Sequence, residues 1–575
     1  MPSVAVRGQA ALCGTDYFLP GARVLNQAVL LVPIGDVVIN ITTSMQAICH
    51  PELKDPEFAR QEVLDAGGLL GQSNGRATRV LFVTSEVEPL AKSGGLADVS
   101  RALPIALKRQ GVDVRILLPG YPGAIGKLAN PRIEARLDPL LGVKNAVLIS
   151  GQLPGSDVPV WLVHAPSLFS RAGGLYQDDN GQDWADNALR FAFFARVATE
   201  IATGRILGWI PGIVHANDWH TGLVPLLLGM EKGPKPATVF TIHNLAFQGN
   251  FPREVLSSIG VSEQHFADGG IEFYGQVSYL KAAIRCSDKV TTVSPTYASE
   301  VLSPELGFGL DGVLRARKDD FCGILNGIDN ELWNPETDAH LPHRYSRHDI
   351  SGKRLCKAEL QSALDLEISP SVPLIGFVSR LAHQKMADVI LESVPEIMAA
   401  GAQFALVGEG EPALERAFER LECHYPHRVA VRVGYKEALA HRLQAGVDIL
   451  LAPARFEPCG LTQLYALRYG TVPVVRRTGG LADTVTDMGP SDLATGFVFE
   501  DPTRDGLLGA IERALALYQE PLAWRRLQLK CMAENFGWAT SAGRYVALYQ
   551  HASGTNHAVS ALSPQMEEKV RHIAG

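Results

Sequence analysis

Short apolar runs alternate with helical patterns along most of the chain. Residues from Arg79 to Thr84 are mainly apolar, which predicts a buried strand, and apolar positions from Gly95 to Gln110 recur at helical spacing. Gly111 ends that helix, and Val112 to Leu118 is the next predicted strand. A glycine-rich turn joins the first strand to the helix, so this segment is predicted to form one βαβ unit.

The same alternation continues on both sides of a polar, irregular segment at residues 334–350, which has the composition of a domain boundary. Near-continuous apolar strands alternating with helices indicate parallel sheets that are buried on both faces. The predicted fold class is therefore α/β, with two Rossmann-like domains in tandem. The predicted limits are an N-terminal extension at residues 1–77, domains at 78–340 and 341–550, and a C-terminal tail at 551–575.

Composition and charge exclude several classes of partner and location. With 575 residues, 46% of them hydrophobic, the chain is long enough for two large domains with their own cores. A net charge of −8 argues against nucleic acid as a partner. The apolar run Val24 to Ile41 is interrupted by Asn26, Gln27 and Asp36, so no membrane span is predicted. The eight cysteines form no C-x-x-C pair, which favours a reducing compartment without structural zinc, and we expect a cytoplasmic protein.

A glycine-rich motif occurs once in each predicted domain. Ser93 to Asp98 and Thr478 to Asp483 share the pattern hydroxyl-Gly-Gly-Leu-Ala-Asp, and each follows a predicted strand and opens a predicted helix. Backbone N–H groups in such a loop can approach a phosphate closely, although the glycines can instead serve only a tight turn. The repetition in two matching domains favours a ligand site. Lys92, just before the first Gly-Gly pair, either adds positive charge to that site or is an ordinary solvated lysine.

Charged residues also follow two predicted strands of the second domain. Arg380 and Lys385 come after a buried strand, and a guanidinium with an ammonium suits the two phosphates of a diphosphate. Ordinary surface basicity is the competing interpretation. Pro458 predicts a helix start that leaves Cys459 to Thr462 in the first turn, with free N–H groups facing the same pocket as Glu457. The alternative for Glu457 is a partner of the helix dipole.

Two histidines follow apolar strands of the first domain. His220 and His243 would line a crevice there, but each, taken alone, is better explained as a hydrogen-bonded structural histidine. Cys459 is not interpreted as a nucleophile, because no Cys-His-Asn signature surrounds it.

Together these motifs resemble those of the bacterial glycogen synthases and plant starch synthases, which are retaining glucosyltransferases of the two-domain GT-B architecture. The resemblance extends from about Val80 to about Tyr549. Its landmarks are segments 92–99, 215–220, 241–249, 325–329, 379–381 with 384–385, and 457–463. Related glycosyltransferases with a second Glu seven residues after the first do not fit, because position 464 is Leu. Ser93 replaces the family Thr, and Met386 stands where the family has Gly, a residue that permits φ > 0.

The resemblance implies transfer of an α-glucosyl unit from ADP-glucose to the non-reducing end of an α-1,4-glucan such as glycogen, with retention of configuration. It assigns the acceptor to the first domain and the nucleotide sugar to the second, and it implies that the last helix returns to the first domain. The sequence contains no D-x-D motif, and no metal ion or other cofactor is expected.

Site residues follow from the matching positions. The residues implied to act in catalysis are His243, Arg380, Lys385 and Glu457. The implied donor-binding residues are Lys92, Gly95, Asn244, Asn326, Tyr435, Cys459, Gly460, Leu461 and Thr462. Asp98, Asp218 and His220 match positions near the sugar or the acceptor.

Three alternatives stay open at this point. The donor can be UDP-glucose instead of ADP-glucose, since physics alone does not separate the two. A non-catalytic glucan-binding or nucleotide-sugar-binding protein can share the fold, because a fold does not guarantee chemistry. A nucleotide-sugar epimerase or hydrolase on the same fold would act without a glucan.

Overall fold

A computed structural model describes residues 27–34, 37–44, 77–267, 270–489 and 493–560, with side chains for 77–267, 270–489 and 493–554. The chain divides after Arg76 into two units. In the first unit, Gln27–Ile34 (β1) pairs with Val37–Ser44 (β2) as an antiparallel hairpin, so most of the apolar run predicted from Val24 to Ile41 is strand. The rest of the predicted extension up to Arg76, and residues 561–575 of the predicted tail, lie outside the described residues.

The second unit contains two large sheets. The strands of the first are β3 (Arg79–Val83), β4 (Asp113–Pro119), β5 (Ala129–Arg136), β6 (Val147–Gln152), β7 (Pro159–His164), β8 (Ile213–Asn217), β9 (Ala237–Ile242), β13 (Lys289–Thr292) and β14 (Phe321–Gly323). Their order is β14-β13-β9-β8-β3-β4-β7-β6-β5. All neighbours are parallel except β6, which runs antiparallel to both β5 and β7. The predicted unit β3–helix–β4 is a parallel pair with Arg79 opposite Asp113.

The second sheet is parallel throughout. Its strands are β15 (Leu374–Val378), β16 (Gln403–Gly408), β17 (Val429–Val433), β18 (Ile449–Ala452), β19 (Val472–Arg476) and β20 (Phe497–Phe499), in the order β17-β16-β15-β18-β19-β20. A small antiparallel sheet in the first half joins β10 (Asn250–Phe251), β11 (Glu272–Phe273) and β12 (Gln276–Ser278). Central strands such as β8, β9 and β15 are buried at every position, as expected for sheets covered by helices on both faces.

Helices connect the strands, as the alternating pattern predicts. Those of the first half are α1 (Gly95–Arg109), α2 (Ala124–Lys127), α3 (Pro166–Phe169), α4 (Asn187–Ala202), α5 (Leu223–Met230), α6 (Leu256–Ile259), α7 (Glu263–Ala267), α8 (Tyr279–Cys286), α9 (Pro295–Glu300) and α10 (Asp311–Arg315). Those of the second half are α11 (Ser351–Ala363), α12 (Ala387–Ala399), α13 (Pro412–His424), α14 (Glu437–Gly446), α15 (Thr462–Arg468), α16 (Gly479–Thr484), α17 (Arg504–Tyr518), α18 (Pro521–Cys531) and α19 (Trp538–Ser560). No helix among the described residues is long and apolar enough to span a bilayer.

The last helix packs on the first sheet. The hydroxyl of Tyr549 in α19 lies 2.7 Å from Nδ1 of the buried His215 in β8, and Gln110, just after α1, donates to the carbonyl of Ala539 at 2.8 Å. The helix continues to Ser560, so the first ten residues of the segment predicted as a C-terminal tail are helical, and the limits of that tail stay a prediction. The domain boundary predicted at residue 340 stays a prediction.

Candidate active site

The predicted site residues lie in loops at the carboxyl ends of strands from both large sheets. Lys92 and Gly95 follow β3, Asp218 and His220 follow β8, His243 and Asn244 follow β9, Asn326 follows β14, Arg380 and Lys385 follow β15, Tyr435 follows β17, and Glu457 to Thr462 follow β18. Several contacts join the two sets of loops. Lys92 Nζ lies 5.9 Å from the centroid of the Tyr435 ring, and a Cβ on Gly95 would lie 3.6 Å from Leu461 Cδ1. The structure therefore brings them together at one cleft.

Lys92 is held at this cleft by Asp98. Its ammonium lies 2.7 Å from the Asp98 carboxylate, four residues into α1. Burial alone would lower the pKa of Lys92, but Asp98 more than offsets this and the pKa is raised. Asp98 also lines a small cavity together with Leu461 and Tyr465 from the opposite side of the cleft. A charged lysine therefore faces the second sheet.

The first glycine-rich loop is partly occupied by a carboxylate of the chain itself. Glu86 accepts the N–H groups of Ser93 at 2.7 Å and Gly94 at 3.0 Å, and also the Tyr176 hydroxyl at 2.7 Å. These two amides are therefore not free to bind a phosphate. This corrects the prediction that the backbone N–H groups of the loop as a whole form a phosphate site. The exposed Gly95 N–H, one residue later, has no acceptor among the residues that the structure describes.

The second glycine-rich loop has a structural role. Gly479 has φ +42°, and a Cβ there would lie 1.8 Å from the carbonyl oxygen of Glu457. The N–H of Gly480 donates to that same oxygen at 3.1 Å, and the N–H of Gly479 donates to Glu300 at 2.9 Å. The phosphate-binding interpretation of Thr478 to Asp483 is therefore wrong, and the tight-turn alternative is right, because the turn packs directly on the backbone of Glu457.

Two carboxylates, one from α9 and one from α16, connect the two halves of this unit beside Glu457. Asp483 in α16 accepts both the N–H and the hydroxyl of Thr296 at the start of α9, at 2.9 Å and 2.7 Å. Glu300, at the end of α9, in turn accepts from Thr478 and Gly479 at the start of α16. A carboxylate near the N-terminus of a helix is stabilised by the unpaired N–H groups there. The two helices therefore cap each other across the halves.

Lys385 and Glu457 form a direct ion pair, and Glu457 is only 8% exposed. The loop carrying Lys385 is fixed by Arg455, which donates to both oxygens of Asp388, each at 2.8 Å. Arg380, by contrast, is exposed and makes no hydrogen bond or ion pair with any residue that the structure describes. One paired and one free cation therefore lie at the carboxyl end of β15.

Met386 adopts the conformation for which the family uses glycine. It has φ +53° and ψ +32° at the N-cap of α12, and its side chain is fully buried in the core of the second sheet. For a bulky residue this left-handed conformation costs roughly 1–2 kcal/mol. Burial of the Met386 side chain offsets that cost, so the loop keeps the shape that presents Lys385.

Replacing Met386 by Gly is therefore expected to destabilise the protein despite restoring the family residue. Loss of a buried Met side chain costs about 2–5 kcal/mol, which exceeds the roughly 1–2 kcal/mol of relieved backbone strain. Met386→Ala loses almost the same burial but keeps the strain, so it should be less stable than Met386→Gly. Thermal unfolding of the three proteins checks the order wild type, Gly, Ala; a Met386→Gly protein more stable than wild type would contradict it.

His243 is a neutral, oriented imidazole. The amide of Asn217 donates to the carbonyls of Val83 and His215, so its oxygen must accept from His243 Nε2, which lies 3.0 Å away. Burial lowers the pKa of His243 to about 3. Nδ1 of His243 is therefore unprotonated, and the side chain carries no charge at neutral pH.

Asp218 and His220 lie beside it with unused polar atoms. Asp218 has φ +60°, its Oδ1 has no partner among the described residues, and burial raises its pKa to about 8. The ring of His220 stacks on those of Trp219 and Tyr176, with centroids at 3.9 Å and 4.2 Å, and neither ring nitrogen is hydrogen-bonded to a described residue. Strained backbone and unpaired buried groups concentrate at functional sites. The simple structural explanation for His220 therefore fails, because a structural histidine would be hydrogen-bonded.

The segment after Glu457 does not start a helix where the sequence predicted. Helix α15 begins at Thr462, so Cys459, Gly460 and Leu461 precede it instead of forming its first turn. Gly460 has φ +73°, which is incompatible with a right-handed helix. The correction leaves Thr462 in the first turn but makes the preceding three residues a loop.

Two further predicted residues, Asn326 and Cys459, are buried and adjoin each other. The backbone N–H of Asn326 points at the Cys459 thiol, whose pKa burial raises to about 12. A thiol this far from ionisation is no nucleophile, in agreement with the sequence analysis. Asn326 Oδ1 is buried without a partner among the described residues. It is therefore available to a ligand.

Sequence reasoning missed the carboxylates Glu86, Glu300 and Asp483, together with Tyr176. Glu86, Glu300 and Tyr176 belong to no recognised motif, and Asp483 ends the second glycine-rich motif without any sign of its role there. Their partners lie between 7 and 187 residues away in the chain. The only available signal was that a loop with several free N–H groups needs acceptors. That requirement does not say which residue supplies them.

Comparison with known proteins matches this arrangement. Residues 79–316 match the family model of the starch synthase catalytic domain, and residues 372–516 match that of the glycosyl transferases group 1. The glycogen synthase of Burkholderia thailandensis is 51% identical over 477 residues, which cover 82% of this chain and 90% of the relative. That of Paramagnetospirillum magneticum is 50% identical over 483 residues, which cover 83% and 98%.

Solved structures agree. The catalytic domain of Starch Synthase IV from Arabidopsis thaliana, bound to ADP and acarbose, superposes with a TM-score of 0.76 at 33% identity, over 83% of this chain and all of that one. Sucrose-phosphate synthase from Thermosynechococcus elongatus, with a TM-score of 0.53 at 17% identity, shares the fold alone. The predicted GT-B fold, the predicted resemblance and the predicted glycosyltransferase activity are confirmed. The chain belongs to the family of bacterial glycogen synthases and plant starch synthases.

Proposed function

We propose that the protein transfers glucosyl units from ADP-glucose to the non-reducing end of an α-1,4-glucan, with retention of configuration. The observation that carries the proposal is the pairing of Lys385 with Glu457, opposite Lys92 on the other side of the cleft and beside Arg380, which has no partner among the described residues. Three cations and a carboxylate there suit a reaction that builds negative charge on a leaving diphosphate and positive charge on the sugar.

The residues divide this work by charge. Arg380, Lys385 and Lys92 would stabilise the leaving diphosphate, and the free Gly95 N–H would add a hydrogen bond. Glu457 would bind the donor sugar and offset positive charge at its anomeric carbon. Cys459, Gly460, Leu461 and Thr462 would line the donor from the same loop.

The neutral residues of the first sheet would position the sugars. His243 and Asn244 would hold the donor glucose, and the unpaired atoms of Asp218 and His220 would hydrogen-bond sugar hydroxyls. Asn326 Oδ1 would do the same from the cleft floor. The 47% exposed ring of Tyr435, beside Lys92, would pack against the nucleotide base.

The test is nucleotide release by the purified protein with glycogen and either ADP-glucose or UDP-glucose, each with and without EDTA. We expect ADP release from ADP-glucose that depends on glycogen and survives EDTA, and much slower release of UDP from UDP-glucose. Proton NMR of the extended glucan should show newly added α-linked units. Release without glycogen would indicate a hydrolase or epimerase, and absence of release would indicate a binding protein. A cytoplasmic location for the reaction stays part of this proposal.

A further inference from the structure

Tyr274 is the most exposed large hydrophobic residue of the described part of the chain, at 82%. It occupies the two-residue turn between β11 and β12, where Phe273 pairs with Gln276. Tyr274 and Gly275 both have positive φ, +49° and +81°, which defines a hairpin turn that favours Asn-Gly. A tyrosine at the first position is therefore strained, and strained residues are enriched at functional sites.

The tyrosine ring packs against Gly309 and Phe273. A Cβ on Gly309 would lie 3.2 Å from Tyr274 Cε2 and 3.1 Å from Phe273 Cζ, so this glycine leaves room for both rings. The rings of Phe273 and Tyr274 are themselves in edge contact, with centroids 4.7 Å apart. The Tyr274 hydroxyl makes no hydrogen bond with any residue that the structure describes. One ring face and the hydroxyl are therefore available to a ligand.

The segment that carries Gly309 connects Tyr274 directly to the candidate active site. Phe308, next to Gly309, also has a positive φ of +49°, and its ring packs edge-on against Phe456 at 5.2 Å. Phe456 immediately precedes Glu457. The carbonyl of Phe308 accepts from Gln248 at 3.0 Å, in the loop that begins with His243 and Asn244. Tyr274 therefore lies on the rim of the cleft, two loops away from the residues proposed to act on the sugar.

The geometry points to a stacking site on Tyr274 for a glucosyl unit of the acceptor chain, remote from its reacting end. The ring contacts the uncharged Phe273 and Gly309, and the same turn carries the Glu272 carboxylate, which accepts the Gly275 N–H at 2.8 Å. A neutral sugar suits these surroundings better than an anionic nucleotide. The phenol hydroxyl can bond to a sugar hydroxyl, and tyrosine presents this contact area at small entropic cost. This inference rests on the proposed function, because it takes the acceptor to be an α-glucan.

The decisive variant is Tyr274→Asn, because Asn is the residue that this turn prefers and the ring alone is lost. It should melt at or above the wild-type temperature. We expect the KM for glycogen or maltoheptaose to rise about tenfold, which corresponds to about 1.4 kcal/mol of lost contact with the ring. The kcat and the KM for ADP-glucose should stay unchanged, and the KM for maltotriose should change less than that for maltoheptaose, because the shorter chain has fewer units remote from its reacting end.

Tyr274→Phe keeps the ring and should retain most of the affinity for long chains. The matched control is Leu522→Ala, which removes another exposed apolar side chain, 76% exposed, from α18. An unchanged KM for maltoheptaose in Tyr274→Asn would overturn the stacking site. A concentration-dependent dimer of the wild type that Tyr274→Asn abolishes would overturn it in favour of a second copy of the chain.

Failure of the proposed function is distinguishable from failure of this inference. If the wild type does not extend glucans, calorimetric titration with maltoheptaose still decides the matter. Weaker binding by Tyr274→Asn than by wild type would support the stacking site, and equal binding, or none by wild type, would overturn it.

Discussion

Replacing Lys385 by Ala is expected to lower kcat by about 10²–10³-fold at saturating ADP-glucose, equivalent to about 2.7–4 kcal/mol of lost transition-state stabilisation. The interaction of an ammonium with the diphosphate strengthens as the anomeric bond breaks, so kcat falls along with donor affinity. Lys385 also neutralises Glu457, which is 8% exposed. Its loss therefore leaves that carboxylate uncompensated in addition.

The matched control is Arg416→Ala, which removes an exposed cation from α13, a helix that connects two strands of the same sheet. This variant should keep wild-type kinetics. Steady-state kinetics of both variants with ADP-glucose and glycogen provide the measurement. If Lys385→Ala retained wild-type kcat at saturating donor, Lys385 would be a surface charge and the assignment of the diphosphate to this loop would be lost.

Lys92→Ala tests the same diphosphate from the opposite side of the cleft and should behave like Lys385→Ala. Because the two lysines belong to different sheets, both can contact one ligand only when the cleft is closed. Ligand binding and closure should therefore be linked. Small-angle scattering should show that ADP makes the wild-type protein more compact, and an unchanged radius of gyration would contradict the link.

The sequence predicted best what depends on single strands. Arg380, Lys385 and His243 lie where expected because a buried parallel strand is recognisable from its apolar run, and the loop after it must open at the ligand edge of the sheet. The family resemblance then supplied the roles, which neither periodicity nor spacing contains. Apolar runs and family motifs can both be recognised within short segments of the sequence.

What depends on partners distant in sequence was not predictable. The two glycine-rich motifs are nearly identical in sequence, yet a Cβ on Gly94 would meet no neighbouring group within 4 Å, whereas one on the equivalent Gly479 would lie 1.8 Å from the carbonyl oxygen of Glu457. Nothing within the motifs separates these outcomes, because the difference comes from what the fold places opposite each loop. Similarly, Pro458 was a reasonable helix start, and only the positive φ of Gly460 postpones the helix to Thr462.

Gly479→Ala is expected to be the most disruptive single-methyl change in the second sheet's loops. The added Cβ would lie 1.8 Å from the Glu457 carbonyl oxygen, and φ at this position is +42°. Either α16 or the Glu457 turn must move, at a cost of about 1–3 kcal/mol for overpacking in addition to the backbone strain. A displacement of about 1 Å at a catalytic position can lower the rate about 10²-fold. Both the melting temperature and kcat should therefore fall.

Two glycine substitutions and one milder variant show whether the contact with Glu457 causes the fall in melting temperature and kcat expected for Gly479→Ala. Gly509→Ala in α17 and Gly94→Ala in the first glycine-rich loop place their Cβ atoms where no other atom lies within 4 Å, so both should melt close to wild type. Asp483→Asn weakens the cap on Thr296 without adding volume. It should lower kcat while changing the melting temperature only slightly. A folded Gly479→Ala protein with wild-type kcat would show that α16 does not position Glu457, because the clash requires the two backbones to separate.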